Sequence, residues 1–520
     1  MKLTTFSFIL TILFYCQSTT ALSQNHQDTI TYSLTALQLL QKNHVPHYMV
    51  SNRHGILNLQ DSRATLLRAN LSVGYQLFKK GHLSFGADAI YKANYQHKLS
   101  SSIFIQQGYA TFQYDFLKLI IGKKERTVGT HANDLSSGSL AISQNAAPIP
   151  QILLEVPQYT SVPFTKGYLQ FKGTYAHAWL NDQRFIDDSF LHEKSLYVRL
   201  GKFKFKPYAG LVHFVIWGGQ HPTAGEVPSS FRDYLRVITS SSGEGISSNG
   251  NPIFGEQLNA LGDNLGILDV GANLSLKSLK LQLYYQKPYE DRSGTRFLKN
   301  RDGLLGLSVH NNNAGSAFIS KLNYEYVNTL YQSGPGLTDP RPNDYGNFGY
   351  KYGGRDNYYN NYLYRSGWTY KSHILGTPLF FTKERTQTYI KDFSDPDSNK
   401  FDFNIVNNRV VAHHIGFGGR LIPQLEYKLL ATTTLNYGTY GGQNGGIQKW
   451  ESRTNPDYIY EFSPPLRQNY LLLETTFKVN QTLKISMIYT MDTGELSENK
   501  GLMLGIKWSG STFINPYNQQ

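Results

Sequence analysis

The chain has 520 residues, a formal net charge of +13, and a composition that is 40% hydrophobic and 14% aromatic. This length exceeds that of one ordinary soluble domain but suits one large closed barrel. Lysine and arginine are dispersed rather than gathered in a basic block, which argues against nucleic acid as a partner. The positive charge favours a polyanion outside the cell, such as lipopolysaccharide phosphates or an acidic glycan.

The first 23 residues have the pattern of a secretory signal peptide. A basic start is followed by an apolar run from Phe6 to Tyr15 and by Ala21-Leu22-Ser23, where small residues suit cleavage. We predict that residues 1–23 are removed and that the mature chain begins near Gln24. The only cysteine, Cys16, lies in this segment, so the mature chain is expected to contain no disulfide.

Residues 24–65 are predicted to form an N-terminal periplasmic segment with a short helix. Thr31 to Asn43 has helical spacing, in which Leu34, Leu37 and Leu40 share a face. The alternative is an irregular lead-in to the first strand. No later run approaches the about 18 apolar residues that a membrane helix needs. An exported chain without such helices is either soluble or a barrel.

From residue 66 to 510, apolar and polar residues alternate in successive runs, which predicts an all-β fold. The clearest case is Leu268–Leu276, which a polar turn at Lys277-Ser278 connects to a second alternating run, Leu279–Tyr285. Each run has one apolar and one polar face, and the short connection favours an antiparallel hairpin. We count about 18 strands by this alternation, followed by a C-terminal tail, 511–520.

The connections between these runs differ in length. Short turns are expected near Lys80, Asp115, Lys277 and Asn480. The long polar segments are 122–166, 217–266, 287–301, 331–378 and 437–468. Short turns on one side and long loops on the other are typical of an outer-membrane barrel. We therefore predict a transmembrane antiparallel β-barrel in the cell outer membrane.

Several loose motifs follow one another along the chain. They are Gly122-Lys123-Lys124-Glu125-Arg126, Trp217-Gly218-Gly219, Gly262-Asp263-Asn264-Leu265-Gly266, Asp302-Gly303-Leu304, Asp356-Asn357-Tyr358-Tyr359-Asn360-Asn361 and Leu375-Gly376-Thr377-Pro378. In this order they resemble the Wzi-type capsule assembly protein family, in a form common in Bacteroidetes. The resemblance implies an eighteen-stranded outer-membrane barrel that attaches capsular polysaccharide to the cell surface by lectin-like, non-catalytic binding. The chain departs from the family in continuing past Trp508 and in its short N-terminal helical segment.

Residues 345–370 combine many aromatic residues with asparagine and arginine. Aromatic faces cover the C–H faces of sugar rings, and amide or guanidinium groups bind hydroxyls or acidic groups. We predict that glycan is bound by Arg355, Asn357, Tyr358, Tyr359, Asn360, Asn361, Trp368 and Tyr370. The alternative is that this tyrosine-rich segment folds over itself or joins an interfacial aromatic girdle.

Sequence signatures of enzymes are missing. The chain contains no G-x-S-x-G, H-E-x-x-H, P-loop or G-x-G-x-x-G motif. Asp392, Asp395, Asp397 and Asp402 cluster together but lack the spacing of an EF-hand. We predict no catalytic residue, no metal and no cofactor.

The predicted function is non-catalytic binding of capsular or other surface polysaccharide, in support of capsule assembly or attachment. Expected partners also include lipopolysaccharide and outer-membrane lipid, and the barrel is expected to be a monomer. One alternative is a diffusion porin, because a barrel of this size can hold an open channel. A second is a barrel enzyme that acts on lipid or glycan, because catalytic carboxylates need to be close only in space.

Overall fold

The computed structural model describes residues 28–41, 44–95, 100–132, 134–243, 260–290, 294–295, 301–312, 317–333, 356–390, 403–439 and 461–514. The predicted signal peptide, Arg355 and the aspartate cluster at 392–402 lie outside the described residues.

Eighteen antiparallel strands form one closed barrel, as the sequence predicts. They are β1 (Asp28–Leu40), β2 (Ala64–Phe78), β3 (Gly81–Asn94), β4 (Ser100–Tyr114), β5 (Leu117–Lys123), β6 (Pro150–Ser161), β7 (Leu169–Leu180), β8 (Ser189–Leu200), β9 (Phe205–Trp217), β10 (Asp263–Ser275), β11 (Leu279–Tyr289), β12 (Gly303–Asn311), β13 (Lys321–Asn328), β14 (Val410–Ile422), β15 (Leu425–Gly438), β16 (Glu461–Lys478), β17 (Leu483–Gly494) and β18 (Asn499–Ile514). Each strand pairs with the next, and β18 pairs with β1 from Asp28–Ile514 to Leu40–Leu502. This last pairing closes the barrel.

The hairpin of β10 and β11 has the two faces that its alternation predicts. Leu274 lies opposite Leu281 in the ladder, and a turn at 276–278 joins the strands. On the outer face, the Leu283 side chain is 49% exposed, whereas the inward Asp269 and Tyr284 are fully buried. Leucine on the outer surface is stable because that surface meets lipid.

The short and long connections lie at opposite ends of the barrel. Turns of a few residues, such as those after β2, β4, β10 and β16, all lie at the end that also holds Asp28 and Ile514. The longest connections, after β5, β9 and β13, lie at the other end. Outer-membrane barrels place short turns in the periplasm and long loops outside the cell, which orients this chain.

The prediction of a periplasmic segment at residues 24–65 is wrong. Asp28–Leu40 is a barrel strand, paired with β2 on one edge and β18 on the other. A helix there would leave both neighbouring strand edges unpaired, which is costly in a membrane. Residues 44–63 then lie at the extracellular end, where a short helix, α1 (His47–Val50), enters the lumen.

Two further boundaries differ from the prediction. Pro150–Ser161 is a strand inside the predicted loop 122–166, and β18 extends to Ile514, beyond the predicted barrel end at residue 510. In Pro150–Ser161, Leu153 is fully buried while Ile152 and Leu154 are 45% and 40% exposed. Both faces are therefore apolar, and no alternation marks this strand in the sequence.

The remaining elements are short. They comprise helices α2 (Phe231–Thr239) and α3 (Lys383–Tyr389), and strand pairs Gln220–His221 with Gly225–Glu226, Thr369–Tyr370 with His373–Ile374, and Phe381–Thr382 with Ile405–Asn407. Among the described residues, no helix is long and apolar enough to cross a membrane.

Chain segments from the extracellular side fold back into the lumen. We call residues 44–63, 124–132, 134–149, 356–390 and 403–409 the plug. Two apolar clusters join the plug to the inner wall. Their plug members include Val45, Tyr48, Met49, Leu135, Leu140, Ile142, Tyr358, Tyr359, Trp368, Phe380 and Phe381. Their wall members include Leu66, Ile90, Tyr197, Phe214, Tyr284, Val327, Tyr470 and Met503. The lumen is filled at this level by packed side chains.

Candidate functional site: the plug and the extracellular rim

A buried carboxylate on the inner wall holds one plug segment. Glu325 of β13 accepts hydrogen bonds from Ser136 Oγ at 2.6 Å, Ser137 N at 2.7 Å and Ser137 Oγ at 2.6 Å. The hydroxyl of Tyr284, on β11, donates a fourth bond to it at 2.6 Å. The side chain of Glu325 is fully buried, so these four donors replace the water that a carboxylate otherwise requires.

The polar face of the β10–β11 hairpin binds the same plug segment. Asp269 accepts a hydrogen bond of 2.6 Å from Thr130 N. Gln286 accepts from Leu140 N at 2.8 Å and donates to Thr130 O at 2.7 Å. The polar residues that alternate along this hairpin in the sequence therefore bind the packed plug rather than water.

An ion pair also joins the plug to the wall at β8. Arg126, three residues after β5, donates hydrogen bonds to both carboxylate oxygens of Glu193 on β8. The Glu193 side chain is 1% exposed. Removing one member of a buried pair leaves an uncompensated charge, so this contact fixes where the loop enters the lumen.

The predicted glycan-binding residues lie together in the plug and are buried. Exposure is between 0% and 8% for Asn357, Tyr358, Tyr359, Asn360, Asn361, Trp368 and Tyr370. In this arrangement they have almost no surface to offer a sugar. A direct contact with glycan would require the plug to move, and the assignment stays a prediction.

The aromatic members of this group make specific contacts inside the plug. Tyr358 donates from its hydroxyl to Asp302 Oδ2 at 2.9 Å, and Tyr359 donates to Leu140 O at 2.6 Å. Trp368 packs against Phe214 of the wall with ring centroids 5.0 Å apart. These rings therefore join one plug segment to another and to the barrel.

The amide members hold the plug backbone. Asn360 donates from Nδ2 to Ile405 O at 2.8 Å, and Asn361 donates from Nδ2 to Asp263 Oδ1 at 3.2 Å. Tyr370, at the edge of the plug, donates to Asn181 Oδ1 at 2.6 Å. The same groups that would suit sugar hydroxyls bind partners within the protein.

Two acids at the ends of wall strands border these residues, Glu290 after β11 and Asp302 before β12. Burial raises the pKa of Glu290 well above its ordinary value, and the nearby carboxylates of Asp356 and Asp263 raise this pKa further. Burial also raises the pKa of Asp302, although hydrogen bonds from Tyr331 N and Tyr358 Oη act against this shift. No group of three His, Cys, Asp or Glu side chains in the described part of the chain could hold a metal ion.

The wall has a gap at the extracellular rim, next to the end of β1. The last β1 pairs are Leu40–Leu502 with β18 and Gln38–Thr65 with β2. The chain then turns into the lumen, so the start of β18 at Asn499–Gly501 has no described strand on that side. A cavity of about 880 Å³ occupies this gap. We call it the rim cavity.

The rim cavity combines aromatic, charged and amide groups. Tyr95 is 50% exposed, and Glu498 and Lys500 are exposed. Asp492 lines the cavity although only 1% of its side chain is exposed. Its Oδ2 accepts a hydrogen bond of 2.9 Å from His47 N, while Oδ1 has no hydrogen-bond partner in the described structure.

The sequence does not reveal the rim cavity, because its residues come from the ends of strands that are far apart in the chain. The one local signal is Asp492, an inward-facing acid near the end of a strand between the outward Met491 and Thr493. An acid facing a packed lumen normally needs a partner, and half of this carboxylate lacks one.

The family described as capsule assembly protein Wzi matches residues 67–458. The chain belongs to this family. The match covers most of the barrel and the plug segments after residue 67. No curated protein sequence matches the chain significantly.

Solved structures that are similar to this chain include Wzi of Escherichia coli, described as an outer-membrane, carbohydrate-binding β-barrel involved in group 1 capsule assembly. It is 11% identical to this chain, with a TM-score of 0.53, and the alignment covers 92% of this chain and 83% of that one. OccK5 of Pseudomonas aeruginosa is 7% identical with a TM-score of 0.43, covering 93% and 98% of the two chains. OccAB2 of Acinetobacter baumannii is 9% identical with a TM-score of 0.44, covering 94% and 98%. At 11% identity, the similarity to Wzi of Escherichia coli concerns the fold alone.

Proposed function

We propose that this Wzi-family barrel binds capsular polysaccharide at the extracellular face of the outer membrane and supports its attachment, without catalysis. The observation that carries this proposal is the family match over residues 67–458. The carbohydrate binding described for Wzi of Escherichia coli supports the same class of ligand.

The packed plug favours attachment over diffusion. A porin needs a continuous aqueous path, whereas here apolar clusters fill the lumen between the plug and the wall. Packed interiors leave few voids large enough for water. The plug instead gives the extracellular loops a rigid support, because hydrogen bonds to Glu325, Gln286 and Asp269 hold it in place.

The rim cavity is the proposed contact site for a sugar chain. The Tyr95 ring offers an apolar face for sugar C–H groups, and Glu498 and Lys500 offer an acceptor and a donor for hydroxyls. Asp492 borders the inner side of the cavity, but its carboxylate is buried and is not itself a contact for the sugar. A volume of about 880 Å³ exceeds what one sugar ring needs and lies within the range of ligand pockets.

The plug residues around Tyr358 and Trp368 have a second proposed role. They reach a glycan only if the plug segment 356–370 moves, since they are buried when it is in place. On this proposal the rim cavity makes the first contact, and the aromatic plug residues contribute only after displacement.

The test of the function is capsule retention in a strain that lacks this gene. Cell-bound and released polysaccharide are quantified separately, with a complemented strain as the control. We expect polymer to be made in normal amount but released into the medium. Unchanged cell-bound polymer would contradict the attachment function.

A further inference from the structure

Helix α2 packs on the outer surface of the barrel wall. Phe214 and Ile216 of β9 face the lumen, where they belong to the plug cluster. Val215 and Trp217 therefore face outward, because neighbouring strand residues point to opposite sides. These two outward residues form a separate buried cluster with Val237 of α2.

Further contacts fix the helix against this outer surface. The Tyr234 ring stacks on Trp217 with centroids 5.4 Å apart and an interplanar angle of 21°. The Tyr234 and Tyr175 hydroxyls are hydrogen bonded at 3.0 Å. The Lys194 ammonium donates to the backbone oxygen of Ile238 near the end of the helix. The helix is therefore attached to β7, β8 and β9 together.

After β9 the chain turns back over the outer surface of the wall. Gly218 and Gly219 follow β9 with φ of 65° and 97°, conformations that favour glycine. A Cβ on Gly219 would lie 2.4 Å from Asp187 O. The helix then begins with a capping box, in which Ser230 Oγ accepts from Asp233 N and Asp233 Oδ2 accepts from Ser230 N.

The side of α2 away from the wall carries large apolar residues. Phe231 is 75% exposed and Leu235 is 48% exposed, one helical turn apart. Arg232 is also exposed. Asp233 and Val237, on the side toward the wall, are buried. Apolar and cationic residues together on an exposed helix face are typical of helices that lie in a membrane interface.

The position of α2 along the barrel matches that interface. The helix contacts Trp217, the last residue of β9, and Tyr175 in the second half of β7. Nearby on β7, Trp179 faces outward and is 38% exposed. Tryptophan and tyrosine concentrate where acyl chains meet headgroups, so these residues place α2 at the level of the outer leaflet.

We propose that α2 is an interfacial anchor that inserts Phe231 and Leu235 into the outer leaflet and places Arg232 against the phosphate group of a membrane lipid. Inserting these side chains removes apolar surface from water. A guanidinium suits a phosphate through paired, charge-assisted hydrogen bonds. The anchor would fix the height of the extracellular loops above the membrane.

Spin labelling tests the insertion directly. The only cysteine in the chain is Cys16, so a Cys16→Ala background allows single labels at Phe231→Cys, at Thr223→Cys as a water-exposed control, and at Leu283→Cys as a lipid-facing control. The purified barrel is reconstituted in vesicles of phosphatidylethanolamine and phosphatidylglycerol. Collisions with oxygen and with a water-soluble nickel chelate are measured by electron paramagnetic resonance.

We expect the label at 231 to collide with oxygen more than with nickel, as at 283. A label at 231 that resembles the one at 223 would overturn the proposal. A heat-dependent change in gel migration checks that each variant is folded. If the Phe231→Cys variant does not fold, the label is placed at Leu235→Cys instead.

The phosphate contact has its own test. Arg232→Gln should move the 231 label toward higher nickel accessibility in vesicles with phosphatidylglycerol, and Lys79→Gln at the periplasmic turn should not. If the label at 231 had equal nickel accessibility with Arg232 and with Arg232→Gln, the proposed contact between Arg232 and a lipid phosphate would be overturned.

Discussion

The indole Nε1 of Trp368 donates a hydrogen bond of 2.9 Å to the backbone oxygen of Ala141, so two plug segments more than 200 residues apart are directly joined. Trp368→Phe should weaken the plug by about 1–3 kcal/mol, because the Ala141 oxygen is left without its donor in a buried site. Trp368→Ala should cost about 3–5 kcal/mol, because a cavity forms as well. Hydrogen exchange of residues 134–149 and 356–390, followed by mass spectrometry, measures both effects.

A matched control for this comparison is Trp179→Phe, at an outward-facing tryptophan that is 38% exposed. It should leave exchange in the plug unchanged. If Trp368→Ala also left exchange unchanged, the contact with Ala141 would not stabilise the plug.

Glu325→Ala should loosen the plug enough to open a conducting path. Four donors from Ser136, Ser137 and Tyr284 would lose their shared acceptor, at about 1–3 kcal/mol for each buried group left unpaired. Ion conductance in planar bilayers measures the result. The wild type is expected to conduct poorly and the variant to show frequent openings.

The control for Glu325 is Glu426→Ala, which removes a half-exposed carboxylate paired with Lys478 near a periplasmic turn. This variant should conduct as poorly as the wild type. High conductance of the wild type itself would support the porin alternative.

Acidification should destabilise the closed plug. Burial lowers the pKa of His47 well below its ordinary 6.5, and burial also lowers the pKa of His373. Because the closed plug holds both pKa values below the ordinary value, opening favours protonation, and stability is lost as the pH falls below 6.5. His47 Nδ1 also accepts a 2.5 Å hydrogen bond from Arg385, which protonation would break.

Hydrogen exchange of residues 44–63 between pH 7.5 and 5.5, corrected for intrinsic exchange rates, measures this effect. Glu290 and Asp302, whose pKa values are raised by burial, act with the opposite sign. The double variant His47→Gln, His373→Gln should therefore reduce the acid sensitivity. Part of it should remain, because burial also lowers the pKa values of His44, His54 and His131 in the plug. An acid response equal to that of the wild type would show that other groups control the plug.

The rim cavity gives a prediction about binding. Tyr95→Ala combined with Lys500→Ala should weaken binding of purified capsular polysaccharide by about tenfold, which corresponds to about 1.4 kcal/mol. The control is Tyr114→Ala, at a tyrosine that is 53% exposed near the periplasmic end of β4. Biolayer interferometry measures the affinity. If the double variant kept its full affinity, the rim cavity would be excluded as the contact site. The proposed attachment function would still stand.

The buried tyrosines can be tested separately. Tyr358→Phe removes the hydroxyl that binds Asp302, and Tyr370→Phe removes the one that binds Asn181. With the plug closed, neither hydroxyl reaches a glycan, so we expect unchanged affinity and faster hydrogen exchange in the plug. A loss of affinity at unchanged plug stability would instead support direct contact after plug movement.

The barrel could be predicted from the sequence because lipid on one side of the wall imposes alternation on strands such as β10 and β11. The prediction failed where the inner face meets the apolar plug. In β1, Leu34 and Leu40 face outward at 39% and 46% exposure, whereas Leu37 packs toward the plug cluster. Apolar residues on both faces remove the alternation, and the leucine spacing then resembles that of a helix.

The candidate site was harder to predict for a different reason. Aromatic rings and amides bind sugars and also pack plugs, so the composition of residues 356–370 does not distinguish an exposed surface from an interior. Hydrogen bonds such as Tyr359 to Leu140 O depend on contacts across more than 200 residues. Asp492 and Tyr95 line one cavity, which lies where the chain leaves the wall after Leu40.

Every plug segment is a connection whose two ends continue into neighbouring wall strands. A plug made from a separate terminal domain can be withdrawn whole, but each segment of this one stays tethered to the wall at both ends. Any opening must therefore be a local rearrangement of one tethered loop while the others stay in place.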